Sequence, residues 1–298
     1  MTIDSNEIDL IRASLRHVLD TCAPADVPAA LLAEGWAELV DAAAAAAITM
    51  LAEEAGRSRS AAPVLDLTML HGAGLVPDAT TVFVVDDLVV GGWARATRFI
   101  VATPDGLVAV AAGDVTVTPI NGVDPSRGLG RVQIGVVPGD QIGDVAVAER
   151  SIAAGRLALA SQMVGAVEQM LTDTIAYVNE RHQYGRAIGS FQSVKHRLAD
   201  VKVAAAAAKA GIQAAWESGD STSAIAAKAL AGRAQQLASR DCFQVHGGIA
   251  FTVEHGFQQW VRGGHVLDLL LGSTDDLTRQ LGQRLIDSGK VPRVPANF

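Results

Sequence analysis

The stretch Glu180-Arg181-His182-Gln183-Tyr184-Gly185-Arg186-Ala187-Ile188-Gly189-Ser190-Phe191-Gln192-Ser193-Val194-Lys195-His196-Arg197-Leu198-Ala199-Asp200 joins two long helical patterns through a charged, aromatic turn. Upstream, Ile152, Leu157, Met163, Val167, Met170, Leu171, Ile175 and Val178 form an apolar stripe at helical spacing. Downstream, Phe191, Val194, Leu198, Val201, Ala205, Ala208 and Ile212 share one face of a second helix, predicted over residues 190–216. Arg181 and Gln183 therefore place planar donors beside a helix N-terminus, where free backbone N–H groups and the helix dipole favour an anion. A plain helix–helix turn with solvated charge has the same composition, so this stretch alone leaves both readings open.

Outward from this turn the chain changes character twice. Gly219-Asp220 breaks the second helix. A third is predicted over residues 223–245, stopped by Gly247-Gly248, and a fourth over 254–271. Ser273, with Asp276 three residues on, marks the start of a last helix ending at Gly289. On the N-terminal side, residues 7–75 are rich in Ala and Leu. Ile8, Ile11, Leu15, Val18 and Leu19 recur at helical spacing until Pro24, and further helices are predicted over 40–57 and 62–75, the latter with Pro63 near its start.

Residues 80–137 instead carry short β-branched runs: 81–85, 99–102, 107–110, 115–118 and 131–136. Turn signals such as Pro104-Asp105-Gly106 and Ala112-Gly113-Asp114 separate them. They read as a small antiparallel β-domain followed by a turn-rich link over 138–143. The expected fold is mainly α with a small β-domain. An N-terminal helical region covers 1–76, the β-domain 77–143, and a C-terminal bundle of four to five helices 144–298. Alanine is dense at 204–208 and 226–234, which suits either close helix packing, a subunit interface, or an inexpensive surface helix.

The bulk composition narrows the function. The chain has 298 residues, 49% of them apolar, and a formal net charge of −8 with no basic stripe. Nucleic-acid binding, which displaces counterions with clustered Lys and Arg, is not expected. Cys22 and Cys242 lie far apart, giving neither a Cys-rich metal site nor a disulfide framework. No signal peptide is read at the N-terminus, and the longest apolar run, 42–52, is shorter than the ~20 residues of a spanning helix. A soluble cytoplasmic protein without membrane or metal is the expectation.

A second motif follows the first at a distance: Gln244-Val245-His246-Gly247-Gly248-Ile249-Ala250-Phe251, then Glu254 and Arg262. Together with the Arg-x-Gln-Tyr-Gly-x-x-Ile-x-x-Phe-Gln-x-x-Lys-His-x-Leu-Ala-Asp pattern of 181–200, it resembles the acyl-CoA dehydrogenase family. The resemblance covers residues 145–285, and the β-region more loosely. It implies an FAD enzyme that desaturates an acyl-CoA thioester between its α and β carbons. It also implies that Arg181 and Gln183 contact the FAD pyrophosphate, that Tyr184 packs near the adenosine half and that Gln192 lies near the same cofactor. Gln244, Gly247 and Gly248 match a loop whose backbone approaches the pyrophosphate. In the family these groups serve the FAD of a neighbouring subunit, so an oligomer is implied.

The family's reaction needs a carboxylate base in a dry pocket. Its usual position, before a Gly-Thr pair, is Leu271 in Leu269-Leu270-Leu271-Gly272-Ser273-Thr274, and leucine accepts no proton. Members resembling the isovaleryl and long-chain enzymes carry the base in a Glu-Arg pair on the first long C-terminal helix. Glu149-Arg150 matches that pair, making Glu149 the candidate base. A glutamate in a helix's first turn beside an arginine is equally explained by the helix dipole and ion pairing.

The family's flavin-ring motifs are missing from the β-region, and the N-terminal helices are abbreviated. Ser273 and Asp275 replace the usual Thr and Gln, and Gly263 replaces the Asp of Arg-Asp-Ala. The chain thus resembles the short, degenerate subunit of heteromeric α2β2 actinobacterial dehydrogenases, completing the FAD site of a full-length partner. Two alternatives stand beside this: a self-sufficient homo-oligomer with Glu149 as base, and a noncatalytic helical scaffold that has lost flavin.

Overall fold

The computed structural model describes residues 4–135 and 139–289. Helix α1, Ser5–Thr21, opens with a reciprocal cap in which Asp4 accepts the Glu7 N–H (2.8 Å) and Glu7 accepts the Asp4 N–H (3.0 Å). After α2, Val27–Ala33, comes α3, Trp36–Arg57, which starts four residues before the predicted Val40. Its alanine run hides a break: Ala43 is non-helical, with φ −155° and ψ 56°. Helix α4, Val64–Gly72, follows Pro63 as expected. α1 is tied to α3 by Arg12, which bonds Glu53 and Glu54, and by Arg16, which bonds Glu54 at 2.8 Å. Burial works against the Glu54 charge, but its bonds to Arg16, Arg57 and Arg12 prevail and hold the carboxyl down at about 2.

Seven strands follow among the described residues: β1 Thr81–Val84, β2 Leu88–Val90, β3 Arg98–Thr103, β4 Gly106–Ala111, β5 Val115–Pro119, β6 Leu129–Ile134 and β7 Asp140–Gly143. They make two sheets, ordered β1-β3-β4-β7 and β2-β6-β5. The domain is not purely antiparallel, because β1 and β3 run parallel with Thr81 opposite Arg98. After β1 the chain turns at Asp86 and Asp87, both at positive φ, and enters the second sheet as β2. It then returns to the first sheet in its original direction as β3. Strand β7 lies where a turn-rich link was expected; its pairing with β4 makes a strand of Asp140, Gln141, Ile142 and Gly143, in which Ile142 is the single β-branched residue. Val136 and Pro138, assigned to the last run and to the link, fall outside the described residues. Val82, Val84, Val89, Phe99 and Val132 pack between the sheets, whereas Phe83 joins the helical core.

The C-terminal part contains α5 Val145–Glu180, a minimal hairpin of β8 His182–Gln183 and β9 Arg186–Ala187, then α6 Gln192–Ser218, α7 Ser221–His246, α8 Gln258–Leu269 and α9 Thr274–Ser288. Asp144, Asp220 and Ser273 cap α5, α7 and α9 through their side chains. α8 begins four residues after the predicted Glu254, because Gly256, at φ 69°, keeps the preceding residues in a turn. Ala205 and Ala208 of α6 and Ala227, Ala231 and Ala234 of α7 are buried, so the alanine-dense stretches pack helix on helix. Ile175, counted in the apolar stripe, is exposed.

α3 crosses α5 with backbones in contact. A Cβ on Gly56 would lie 1.8 Å from the Gln162 carbonyl oxygen, and one on Gly165 2.0 Å from that of Glu53. Gly165→Ala, which elsewhere in a helix would stabilise, here forces the two helices apart. It is expected to cost about 1–3 kcal/mol in urea denaturation.

The β-domain is docked on α4 by Asp66, whose carboxylate accepts the Phe83 N–H at 2.8 Å while its second oxygen has no partner among the described residues. Burial pushes this carboxyl up to about 8, against the lowering effect of the Phe83 bond. From about pH 4 to pH 8 the folded chain keeps a proton that the unfolded chain has released, so stability falls as pH rises through that window. Asp66→Asn, which still accepts from Phe83, should flatten that slope in melting curves recorded from pH 4 to 9. An unchanged slope would show an ionised Asp66 in the fold.

Candidate cofactor-holding site

At the end of α5 the Arg181 N–H donates to the Tyr177 carbonyl (2.8 Å), and the Arg181 carbonyl accepts the Ile188 N–H (2.8 Å). Between these bonds the chain makes the β8–β9 hairpin, with His182 opposite Ala187 and Gln183 opposite Arg186. Its two-residue turn puts Tyr184 at φ 54° and Gly185 at φ 78°, the left-handed pair that tight hairpins require. Two-residue strands carry no periodic signal, so the sequence showed only a turn. Tyr184 is 92% exposed, its ring edge-on to Phe191, and Arg186 stacks 4.1 Å from the Phe191 centroid. α6 then starts with Phe191 as a cap that bonds nothing through its side chain, leaving an electropositive helix end.

The second segment lies at the end of α7. Gly247 leaves the helix at φ 68°, ψ −146°, a conformation that glycine reaches without strain. Among the described residues, a Cβ on Gly247 or on Gly248 would meet nothing within 4 Å, so none of them covers this backbone. Tyr177, one turn before Arg181, stacks on His246 with ring centroids 4.4 Å apart. The turn at the end of α5 and the glycine loop are thereby neighbours at one end of the bundle. Arg181, Gln183, Tyr184, Gln192, Gln244 and Gly248 are all exposed there, and Gly247 is half-buried. The side chains of Arg181, Gln183, Gln192 and Gln244 make no hydrogen bond among the described residues.

The opposite motif positions are arranged differently. Glu149 is exposed on α5 and makes no hydrogen bond or ion pair among the described residues, Arg150 included. It sits five residues past the Asp144 cap, so it belongs to the second turn rather than the first, whose residues carry no acid. Neither dipole nor ion pair therefore accounts for it. Leu271 is buried, with φ 58°. Its Cδ1 lies against Gly155, where an added Cβ would be 2.7 Å away, with Met69 and Leu65 pressing on the same spot at 2.9 and 3.1 Å. The space between α4, α5 and the α8–α9 loop is filled by these aliphatic side chains.

Cations hold that loop from below. Arg156 Nε donates to the Leu271 carbonyl (3.1 Å), and Lys228 Nζ donates to those of Asp268 (2.9 Å) and Gly272 (2.6 Å). Lys228 is fully buried, and burial, opposed by Asp268 and reinforced by Arg156, pulls its amine down to about 8. The replacement at Gly263 also has a cause. The buried Arg127 guanidinium, bonded to the Ser60 carbonyl (2.8 Å), occupies the space that a side chain there would need, its Nη2 only 2.6 Å from an added Cβ.

Residues 145–286 match the family profile described as acyl-CoA dehydrogenase, C-terminal domain. Acyl-CoA dehydrogenase IpdE2 of Mycobacterium tuberculosis is 32% identical over 267 residues, which span 84% of this chain and 79% of that protein. The chain belongs to the acyl-CoA dehydrogenase family. Among solved structures, a variant of the Tcur3481-Tcur3483 steroid ACAD superposes with a TM-score of 0.77 at 21% identity, covering 97% of this chain and 99% of that one. The ChsE4-ChsE5 complex from Mycobacterium tuberculosis gives 0.74 at 19%, covering 98% and 100%. At such identities the likeness shows the acyl-CoA dehydrogenase fold. No single helix among the described residues is long and apolar enough to cross a membrane.

The family implies FAD, and the end displaying Arg181 fits the cofactor's diphosphate. It combines a guanidinium, three carboxamides, an uncapped helix N-terminus and an open glycine backbone, all suited to an anion. Lys228→Met, which keeps the aliphatic stem but strands two carbonyls, should cost about 1–3 kcal/mol in urea denaturation. A cost below ~0.5 kcal/mol would show that the loop does not rely on this amine.

Proposed function

We propose that this chain is the smaller subunit of a heteromeric acyl-CoA dehydrogenase of α2β2 composition. It supplies Arg181, Gln183, Tyr184, Gln192, Gln244, Gly247 and Gly248 to the diphosphate and adenosine half of an FAD carried mainly by a full-length partner. The observation that carries this reading is the contrast between the two motif ends. The diphosphate-binding positions open onto solvent, whereas the usual base position is a leucine packed into Gly155. The partner would then supply the carboxylate that removes the α proton and the surface for the flavin ring. FAD, when bound, accepts the hydride from the β carbon. The side chains of this chain hold the cofactor's anionic half and contribute no proton transfer.

The substrate is an acyl-CoA thioester. Likeness to a steroid ACAD favours a bulky polycyclic acyl group.

Co-expression with a full-length acyl-CoA dehydrogenase from the same genome should give a yellow complex, while this chain purified alone should be colourless. Within the complex, Arg181→Ala should lower FAD retention at least tenfold, and Glu149→Gln should leave turnover within twofold. A yellow, active homo-oligomer of this chain alone would overturn the reading. Loss of turnover in Glu149→Gln with flavin retained would assign the base to Glu149 instead.

A further inference from the structure

The two cofactor-facing segments are remote in sequence, Tyr177 and His246 being 69 residues apart, yet their backbones must keep a fixed separation to grip one diphosphate. The geometry points to the Tyr177–His246 stack as the positioning element that registers the Gly247–Gly248 backbone against Arg181. This rests on the function proposed above and adds a role for two residues that do not themselves reach the cofactor.

His246 is the last residue of α7 and is only 4% exposed. Its ring lies 4.4 Å from Tyr177, 4.6 Å from Phe257 and 4.7 Å from His255, centroid to centroid. The Thr174 hydroxyl donates to the Met170 carbonyl at 2.6 Å, so its oxygen is left to accept from His246 Nε2 at 3.1 Å. That bond fixes the tautomer with the proton on Nε2, and Nδ1 has no partner among the described residues. Burial, and then the neighbouring His255, pull the imidazole down to about 4, so it is neutral near pH 7. A neutral ring held by stacking and one hydrogen bond has no charge to offer a phosphate. What it offers is a fixed orientation.

That orientation passes to both halves of the site. The Tyr177 hydroxyl donates to the His246 carbonyl at 3.4 Å, directly before Gly247 takes its left-handed turn. The Tyr177 carbonyl accepts the Arg181 N–H, which ends α5 and starts the hairpin. One stacked pair therefore touches the last residue before the glycine loop and the backbone bond that places Arg181. Rotating either ring would shift the glycine N–H groups relative to the guanidinium without altering any cofactor-facing side chain.

The test is titration of FAD into the complex with the full-length partner, following flavin fluorescence, with the melting temperature of each apo-complex recorded in parallel. His246→Ala and Tyr177→Ala should each weaken FAD at least tenfold, and the double variant should be no weaker than the worse single one, because both remove the same stack. Tyr177→Phe and His246→Phe retain a stacked ring and should restore affinity to within threefold of the wild type. Wild-type affinity in both alanine variants would overturn the assignment. So would phenylalanine variants that restore the melting temperature but leave FAD as weak as the alanines do. Arg181→Ala separates the two levels of the argument. If it weakens FAD while His246→Ala does not, only the positioning role fails. If Arg181→Ala is also silent, or the complex binds no FAD, the proposed function fails and the positioning role fails with it.

Discussion

Gly56 and Gly165 let the backbones of α3 and α5 touch, and the rest of the structure is registered on that contact. α5 is 36 residues long and buried along most of its middle, from Ala154 to Leu171. Once its position against α3 is set by backbone rather than side chains, there is little freedom to slide. α4 packs beside it with Gly72 against Ser151 and Ala154, which carries the β-domain into place through Asp66 and Phe83. Farther along, α6 and α7 lie on α5 through small residues. The N-terminal half of α5 thus faces the α8–α9 loop, and its C-terminal end presents Arg181.

Those regions handle charge in opposite ways. Near the loop, Arg156 and Lys228 spend their donors on the carbonyls of Asp268, Leu271 and Gly272. A buried amine with two good acceptors is tolerable, whereas one without them would lose its proton. That arrangement stabilises a leucine in left-handed conformation, a backbone that costs a non-glycine residue about 1 kcal/mol or more. At the Arg181 end nothing among the described residues answers the guanidinium or the carboxamides. Unspent donors beside an uncapped helix end suit an anion brought by another molecule. One region is closed by its own chain, and the other is left open.

Much of this was legible in the sequence where the signal is local. The apolar stripe of α5, the break at Gly219-Asp220, the Ser273 start and the glycine stops at 247 and 289 follow from helix periodicity and capping chemistry, whereas Asp220 as the cap of α7 emerged only in the structure. Elements that depend on pairing were not legible. β7 has one β-branched residue, Ile142, too weak a pattern to read as a strand before it bonds β4; β8 and β9 are two residues each. The parallel pairing of β1 with β3 arises because the intervening β2 belongs to the other sheet. The break at Ala43 is invisible in an alanine run, since alanine is the best helix former there is.

The sequence by itself determined the family and the succession of N-terminal helices, a strand-bearing middle and a C-terminal helical bundle, because these are properties of short segments and motif spacing. It also showed that Leu271 cannot act as a base, since that is a matter of side-chain chemistry alone. Only the tertiary structure decided that Leu271 is packed into Gly155, that Arg127 occupies the space beside Gly263, and that Tyr177 and His246 join two distant segments. Those facts concern which surfaces meet after folding, and close packing between elements leaves no periodic trace in the residues that make it.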